Sequence, residues 1–242
     1  MNLLIDAGNT RIKWALTDGD VWLHSGVLPV GQANGLAQFF AGTLGAGLRD
    51  MQIWASNVAG DGVAQHIRDI GTGQPPRFIA AREMQCGVRN GYSSPPQLGS
   101  DRWAALIAAW HLLHGECLVV GCGTATTIDA LSGRGEFLGG LILPGVELMQ
   151  RSLCDATAQL QLAPGQYARF PLDTADALFS GAIQASCGAI ERQHALLGAA
   201  APVLLSGGGA AQLQAHLVNL PTQMMDNPVL QGLLLIAQEA GA

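Results

Sequence analysis

Short apolar runs punctuate the chain at 2–5, 12–16, 52–56, 117–120, 126–130 and 202–205, and stretches of helical period separate them. That alternation predicts an α/β protein with mixed sheets. The first run, Asn2-Leu3-Leu4-Ile5, reads as a strand buried on both faces, broken by Asp6 where a carboxylate can meet solvent and a cation. Helices are predicted over 34–44 and 63–70. The strand between them, 51–58, ends in the polar pair Ser56-Asn57, at the kind of strand terminus that meets ligands in α/β proteins. Over 101–113, Trp103, Leu106, Ile107, Trp110 and Leu113 recur at i, i+3, i+4 and i+7, which predicts an amphipathic helix. No low-complexity linker interrupts the pattern, and a crossing near Gly115 would divide the chain into halves of 1–114 and 115–242.

The polar residues gather where these runs end. Asp6, Gly8, Asn9, Thr10 and Lys13 follow the first strand and precede the second. A glycine that permits close backbone approach, two side chains with donors and a lysine suit a hairpin that grips phosphate, with Asp6 facing a metal; an ordinary tight turn would use the same residues. The segment 117–129 repeats the scheme, with Gly123, Thr124, Thr126 and Thr127 after an apolar strand. This is a weak internal repeat. A third strand enters the triple glycine 207–209 before a helical segment, which allows backbone to approach a flat ring or simply makes a strand-to-helix loop.

Asp101 and Arg102 open the helix over 101–113. An aspartate there caps a helix and complements its dipole. Beside an arginine, and in a chain with two phosphate-type hairpins, it also suits a general base, with the guanidinium binding an acidic substrate or the transferring phosphoryl group. Gly139-Gly140 and Pro144-Gly145 fall between the second hairpin and a helix, where they would line a substrate site or shape a turn; the first is preferred.

Composition narrows the classes. With 49% hydrophobic and 12% charged residues, a sizeable apolar core or subunit interface is expected rather than disorder. A net charge of −6 with scattered Lys and Arg argues against nucleic acid or an anionic membrane as a partner. No run reaches membrane-spanning length, and the apolar start, interrupted by Asp6, does not resemble a signal peptide. Cys86, Cys117, Cys122, Cys154 and Cys187 are odd in number and widely spaced, which favours reduced thiols in a cytoplasmic protein.

Taken in order, D-A-G-N-T-R-I-K at 6–13, L-G-S-D-R-W at 98–103, G-T-A-T-T-I-D at 123–129, G-G-L-I-L-P-G at 139–145 and L-S-G-G-G at 205–209 resemble the type III pantothenate kinases, which the Bvg accessory factor proteins also resemble. The resemblance runs nearly end to end. It implies the actin-like ATPase fold shared with sugar kinases and heat-shock chaperones, with two similar halves around a nucleotide cleft. It also implies a homodimer that phosphorylates pantothenate with ATP, Mg²⁺ and a monovalent cation, K⁺ or NH₄⁺, at the first step of coenzyme A biosynthesis. By that resemblance Asp6 is the metal-associated aspartate, and Gly8, Asn9, Thr10 and Lys13 form the first phosphate motif. Thr124, Ala125, Thr126 and Thr127 form the second, and Gly207 and Gly208 the adenosine turn. Asp101 is the general base, while Tyr92, Gly99, Ser100, Asp101 and Arg102 line the pantothenate site. Thr174 resembles a threonine that reaches pantothenate from the partner subunit, or else caps its own helix. One departure stands out: Gly121 replaces an aspartate that many members use to hold the monovalent cation. A catalytically degenerate nucleotide- or metabolite-binding regulator is therefore the alternative reading, and a kinase for another hydroxylated small molecule a third.

Overall fold

The computed structural model describes residues 1–71, 73–157 and 160–241. The chain forms two compact units, Met1–Leu112 with Asn227–Ala242, and Leu113–Asp226. The same strand plan builds both.

In the first unit, β1 (Asn2–Ala7), β2 (Arg11–Asp18) and β3 (Val21–Pro29) form an antiparallel meander. The chain then passes through a 3-10 turn and α1 (Leu36–Leu44) to β4 (Gln52–Asn57), which joins β1 in parallel, and through α2 (Asp61–Arg68) to β5 (Arg77–Phe78). The sheet order is β3-β2-β1-β4-β5. A short hairpin, β6 (Met84–Gln85) and β7 (Val88–Asn90), precedes α3 (Ser100–Leu113). Leu3, Ile5, Ile12, Trp14, Phe40 and Ile53 lead the core, with Trp14, Phe39 and Phe40 packed edge to face.

The second unit repeats the plan. An antiparallel meander of β8 (Cys117–Cys122), β9 (Ala125–Leu131) and β10 (Glu136–Pro144) is followed by α4 (Val146–Ala156) and α5 (Thr174–His194). The chain returns in β11 (Val203–Ser206), parallel to β8, and passes through α6 (Ala210–Gln214) to β12 (Thr222–Met224). Within this unit the order is β12-β11-β8-β9-β10, the first unit's order element for element. The rhyme of the two hairpins is thus a duplication of topology.

Three expectations change. The apolar residues of α3 are not confined to one stripe: residues 102 to 109 are all buried, because Ala104, Ala105, Ala108 and Ala109 occupy the positions between the large side chains. Such a helix is an interior one. Gly139, Gly140 and Pro144 belong to strand β10 rather than to a loop, with Gly139 at a register shift and φ +128°. The chain passes between units inside the last turn of α3, close to Gly115, but α7 (Pro228–Gly241) belongs to the first unit, where it packs on β1 and β4. The division into 1–114 and 115–242 therefore differs from the folded one by this helix.

Candidate active site

In the first unit, sheet register sets the polar cluster. Asp6, one residue from the end of β1, lies opposite Lys13 across the antiparallel ladder and opposite Ser56 across the parallel one. Burial pushes its carboxyl up from 3.8 to about 7; Lys13 opposes that rise and the neighbouring charge of Asp101 adds to it. The turn is tight: Gly8 N–H donates to Arg11 O at 3.0 Å, and Thr10 O accepts from Val30 N–H at 3.0 Å. Asn9 and Thr10 are exposed at its tip.

The start of α3 supplies the other carboxylate. Gly99 O accepts from Trp103 N–H, so α3 begins immediately after this glycine. Asp101 Oδ1 accepts the backbone N–H of Arg102 at 2.8 Å, folding the carboxylate onto the helix's own first turn. Arg102 is buried, and its Nη1 donates to Tyr92 Oη at 3.2 Å, with the guanidinium 5.9 Å from that ring's centre. Tyr92 is itself set by its N–H donating to Asn90 Oδ1 at 3.0 Å. Ser56 Oγ and Ser100 Oγ are 2.8 Å apart. Asp6, Lys13, Ser56, Ser100, Asp101, Arg102 and Tyr92 are thus linked pair by pair within one unit.

In the second unit the hairpin is clamped from both sides through its backbone. Gly123 N–H donates to Ala125 O at 3.0 Å, Gly145 N–H to Thr124 O at 2.8 Å, and Gly209 N–H to Cys122 O at 3.0 Å. Glycine is required at one clamping site, Gly145, and at Gly207 beside another. A Cβ on Gly145 would stand 2.2 Å from Gly123 O, and one on Gly207, whose φ is +96°, 2.5 Å from Cys122 O. Gly208, by contrast, has open space where a Cβ would be.

The structure separates the three threonines. Thr124 is exposed at the tip and Thr127 half-buried, whereas Thr126 is buried and shares a face of β9 with the core residues Ile128 and Ala130. Gly121 lies opposite Thr127 in the β8–β9 ladder, and a Cβ there would come within 2.8 Å of Thr127 Oγ1. The glycine at 121 thus leaves room for a hydroxyl of the second hairpin.

Thr174 is the first residue of α5 and exposed, but it is not the cap. Asp173 fills that place, its side chain accepting the N–H of Asp176 at 3.0 Å. Thr174 instead borders an apolar groove of about 880 Å³ along α4 and α5, with Met149, Leu153, Leu172 and Leu178. No pattern in the sequence singles out this groove, although Leu172 in its lining is an apolar residue that is 99% exposed.

Residues 2–195 match the family model of type III pantothenate kinase. The chain belongs to that family. Type III pantothenate kinases from Nitrosospira multiformis and Aromatoleum aromaticum are 49% and 46% identical, over 98% and 100% of this chain and 91% and 100% of theirs. Among solved structures, a Baf-family protein from Campylobacter jejuni aligns with a TM-score of 0.65 at 22% identity, covering 99% of this chain and 98% of that one. Component A of (R)-2-hydroxyglutaryl-CoA dehydratase from Acidaminococcus fermentans aligns with a TM-score of 0.59 at 13% identity, over 100% and 99% of the two chains. At such identities the likeness speaks for the fold alone, which is the actin-like ATPase and sugar-kinase architecture. Among the described residues, no helix of this pantothenate kinase relative is long and apolar enough to cross a membrane.

Proposed function

We propose that this chain transfers the γ-phosphoryl group of ATP to the primary hydroxyl of pantothenate, giving 4′-phosphopantothenate for coenzyme A biosynthesis. Within the family frame, the observation that carries the reading is the start of α3. There a carboxylate and a buried guanidinium, held by Tyr92, stand on consecutive residues. Asp101 accepts the hydroxyl proton as the oxygen attacks phosphorus and ADP leaves. Arg102 holds the pantothenate carboxylate, a task for a planar, permanently charged group. Gly99 and Ser100 border that substrate. Asn9, Thr10 and Lys13 serve phosphate in the first unit, and Thr124 and Thr127 do so in the second; Thr126, on the core face, does not. Gly207 and Gly208 serve the adenosine.

The residues fit a magnesium ion of the phosphate-bridging kind. Asp6 is a buried carboxylate that an adjacent cation would keep ionised, with Asp101 electrostatically close. Among the described residues no three metal-ligating side chains gather, which suits an ion that takes one or two carboxylates and completes its shell with water and phosphate. Bound Mg²⁺ supplies charge neutralisation on the transferring phosphates. With no carboxylate at position 121, we propose that K⁺ or NH₄⁺ activates only at high concentration. The α4–α5 groove is the proposed homodimer face, bringing Thr174 to the partner's pantothenate. The five free thiols fit a cytoplasmic setting.

The test is direct. Purified protein with pantothenate, Mg·ATP and either potassium or ammonium should form phosphopantothenate, and Asp101→Asn should lower kcat by about two to four powers of ten while ATP still binds. No turnover above an enzyme-free control in any of those salts would refute the proposal.

A further inference from the structure

Ser56 has no task in the scheme above, yet its surroundings are specific. It is the polar exception in a buried stretch of β4, following Ile53, Trp54 and Ala55, and is itself fully buried. A buried hydroxyl is costly unless paired, so an alanine would sit there more simply if packing were the only demand. The partner is Ser100, 44 residues away in sequence and 2.8 Å away in space.

Both ends of that bond lead to a carboxylate. Ser56 is the parallel-register neighbour of Asp6. Ser100 is the first residue of α3 and directly precedes Asp101. The Asp101 side chain is tied to its own turn: Oδ1 is bonded to the next backbone amide, in space that only the absence of a Cβ at Gly99 leaves open. Its position therefore follows the position of the first helical turn. That turn is moored to β4 through the two hydroxyls, and β4 is moored to β1 by its ladder.

We infer that Ser56 is a positioning residue, whose hydrogen bond to Ser100 holds the turn bearing the general base in register with the strand bearing Asp6. Without it, two carboxylates that repel each other would be held only through the rest of the fold, and the base would sit less often within reach of the substrate hydroxyl. This inference rests on the phosphorylation reading and on Asp101 as the base.

The experiment compares the parent, Ser56→Ala, Ser100→Ala and the double variant by steady-state kinetics and thermal unfolding. Each single substitution should lower kcat by about five- to tenfold, the value of one well-made hydrogen bond, with the KM for ATP within twofold of the parent. The double variant should lose no more than either single one, because both remove the same bond. A purely structural hydroxyl pair would lower the melting temperature and leave kcat alone. That pattern overturns the inference, as does a double variant whose loss is the product of the single losses. Should Ser56→Ala not fold, Ser56→Cys, which keeps the shape but gives up the strong hydrogen bond, takes its place, and unchanged kcat there is equally contrary. Parent protein that turns over normally while both variants match it removes only this inference; parent protein that never turns over removes the phosphorylation reading and this one with it.

Discussion

Gly145→Ala would displace the second hairpin without altering any side chain proposed to touch the nucleotide. Gly145 has φ −65° and ψ 163°, values any residue adopts, so the substitution introduces no backbone strain of its own. The new methyl would instead lie 2.2 Å from Gly123 O and 2.8 Å from Thr124 O, inside the 3.0 Å that such contacts respect. Both obstacles are main-chain atoms, so no rotamer change relieves them. Overpacking of this kind costs about 1–3 kcal/mol. Separation would also weaken the 2.8 Å bond from Gly145 N–H to Thr124 O, worth about 1 kcal/mol. If half of that total appears as a misplaced hairpin rather than as lost stability, affinity for ATP falls about tenfold. Calorimetric titration with a non-hydrolysable ATP analogue reads the first part and thermal unfolding the second, while the KM for pantothenate should stay within about twofold to threefold. Gly139→Ala is the matched control: its φ of +128° makes alanine strained, but nothing lies within 4 Å of the new carbon. It should cost about 1–3 kcal/mol of stability and leave nucleotide affinity intact. Parental ATP binding and an unchanged melting temperature in Gly145→Ala would refute the idea that this contact sets the hairpin.

Other outcomes follow from the first unit and the groove. Asp6 has a folded-state pKa of about 7 against 3.8 in an unfolded chain, so its contribution to the metal-free protein is full below pH 4 and lost as pH rises through 7. Asp6→Asn in chelator should therefore gain melting temperature relative to the parent between pH 5 and 8; parallel pH curves for the two proteins would contradict the assignment. Arg102→Lys keeps the charge but gives up the fork and its stacking on Tyr92, and should raise the KM for pantothenate about tenfold or more with the KM for ATP unchanged. An equal rise in both would move Arg102 off the pantothenate site. Leu172→Asp places a charge on the most exposed large apolar side chain beside the groove, and should shift a dimer toward monomer in sedimentation while each unit stays folded. An unchanged sedimentation profile would show that another face carries the contact.

What could be read from the chain was whatever is local. The strands β1, β2, β4 and β8 each carry three or four consecutive apolar residues, β9 mixes apolar with polar ones, and each hairpin's chemistry sits within a few residues of its turn. Strand β3 escaped because it is an exposed edge whose Trp22, His24 and Gly26 break the alternation of a half-buried strand. Strand β10 escaped because paired glycines signal turns more strongly than ladders. The faces of Thr126 and Thr127 were legible in principle, since a period of two puts Thr126 with Ile128, and the hydroxyl cluster drew attention away from it. Asp173, three residues before Asp176, was likewise a visible cap. The Ser56–Ser100 bond and the return of α7 were not legible at all. Both depend on which distant segments the ladders bring together, and no window of sequence contains that.

The placement of α7 has a consequence for synthesis. The first unit is interrupted by the whole of the second, and the helix that covers β1 and β4 is made after it. At translation rates of about 5–20 residues per second, the strands carrying Asp6 and Ser56 wait on the order of ten seconds for that cover, with apolar surface bare. The second unit is a continuous stretch, complete before α7 emerges. The phosphate hairpin that comes second along the chain should thus be the first to reach its final shape, and the one that opens the sequence the last.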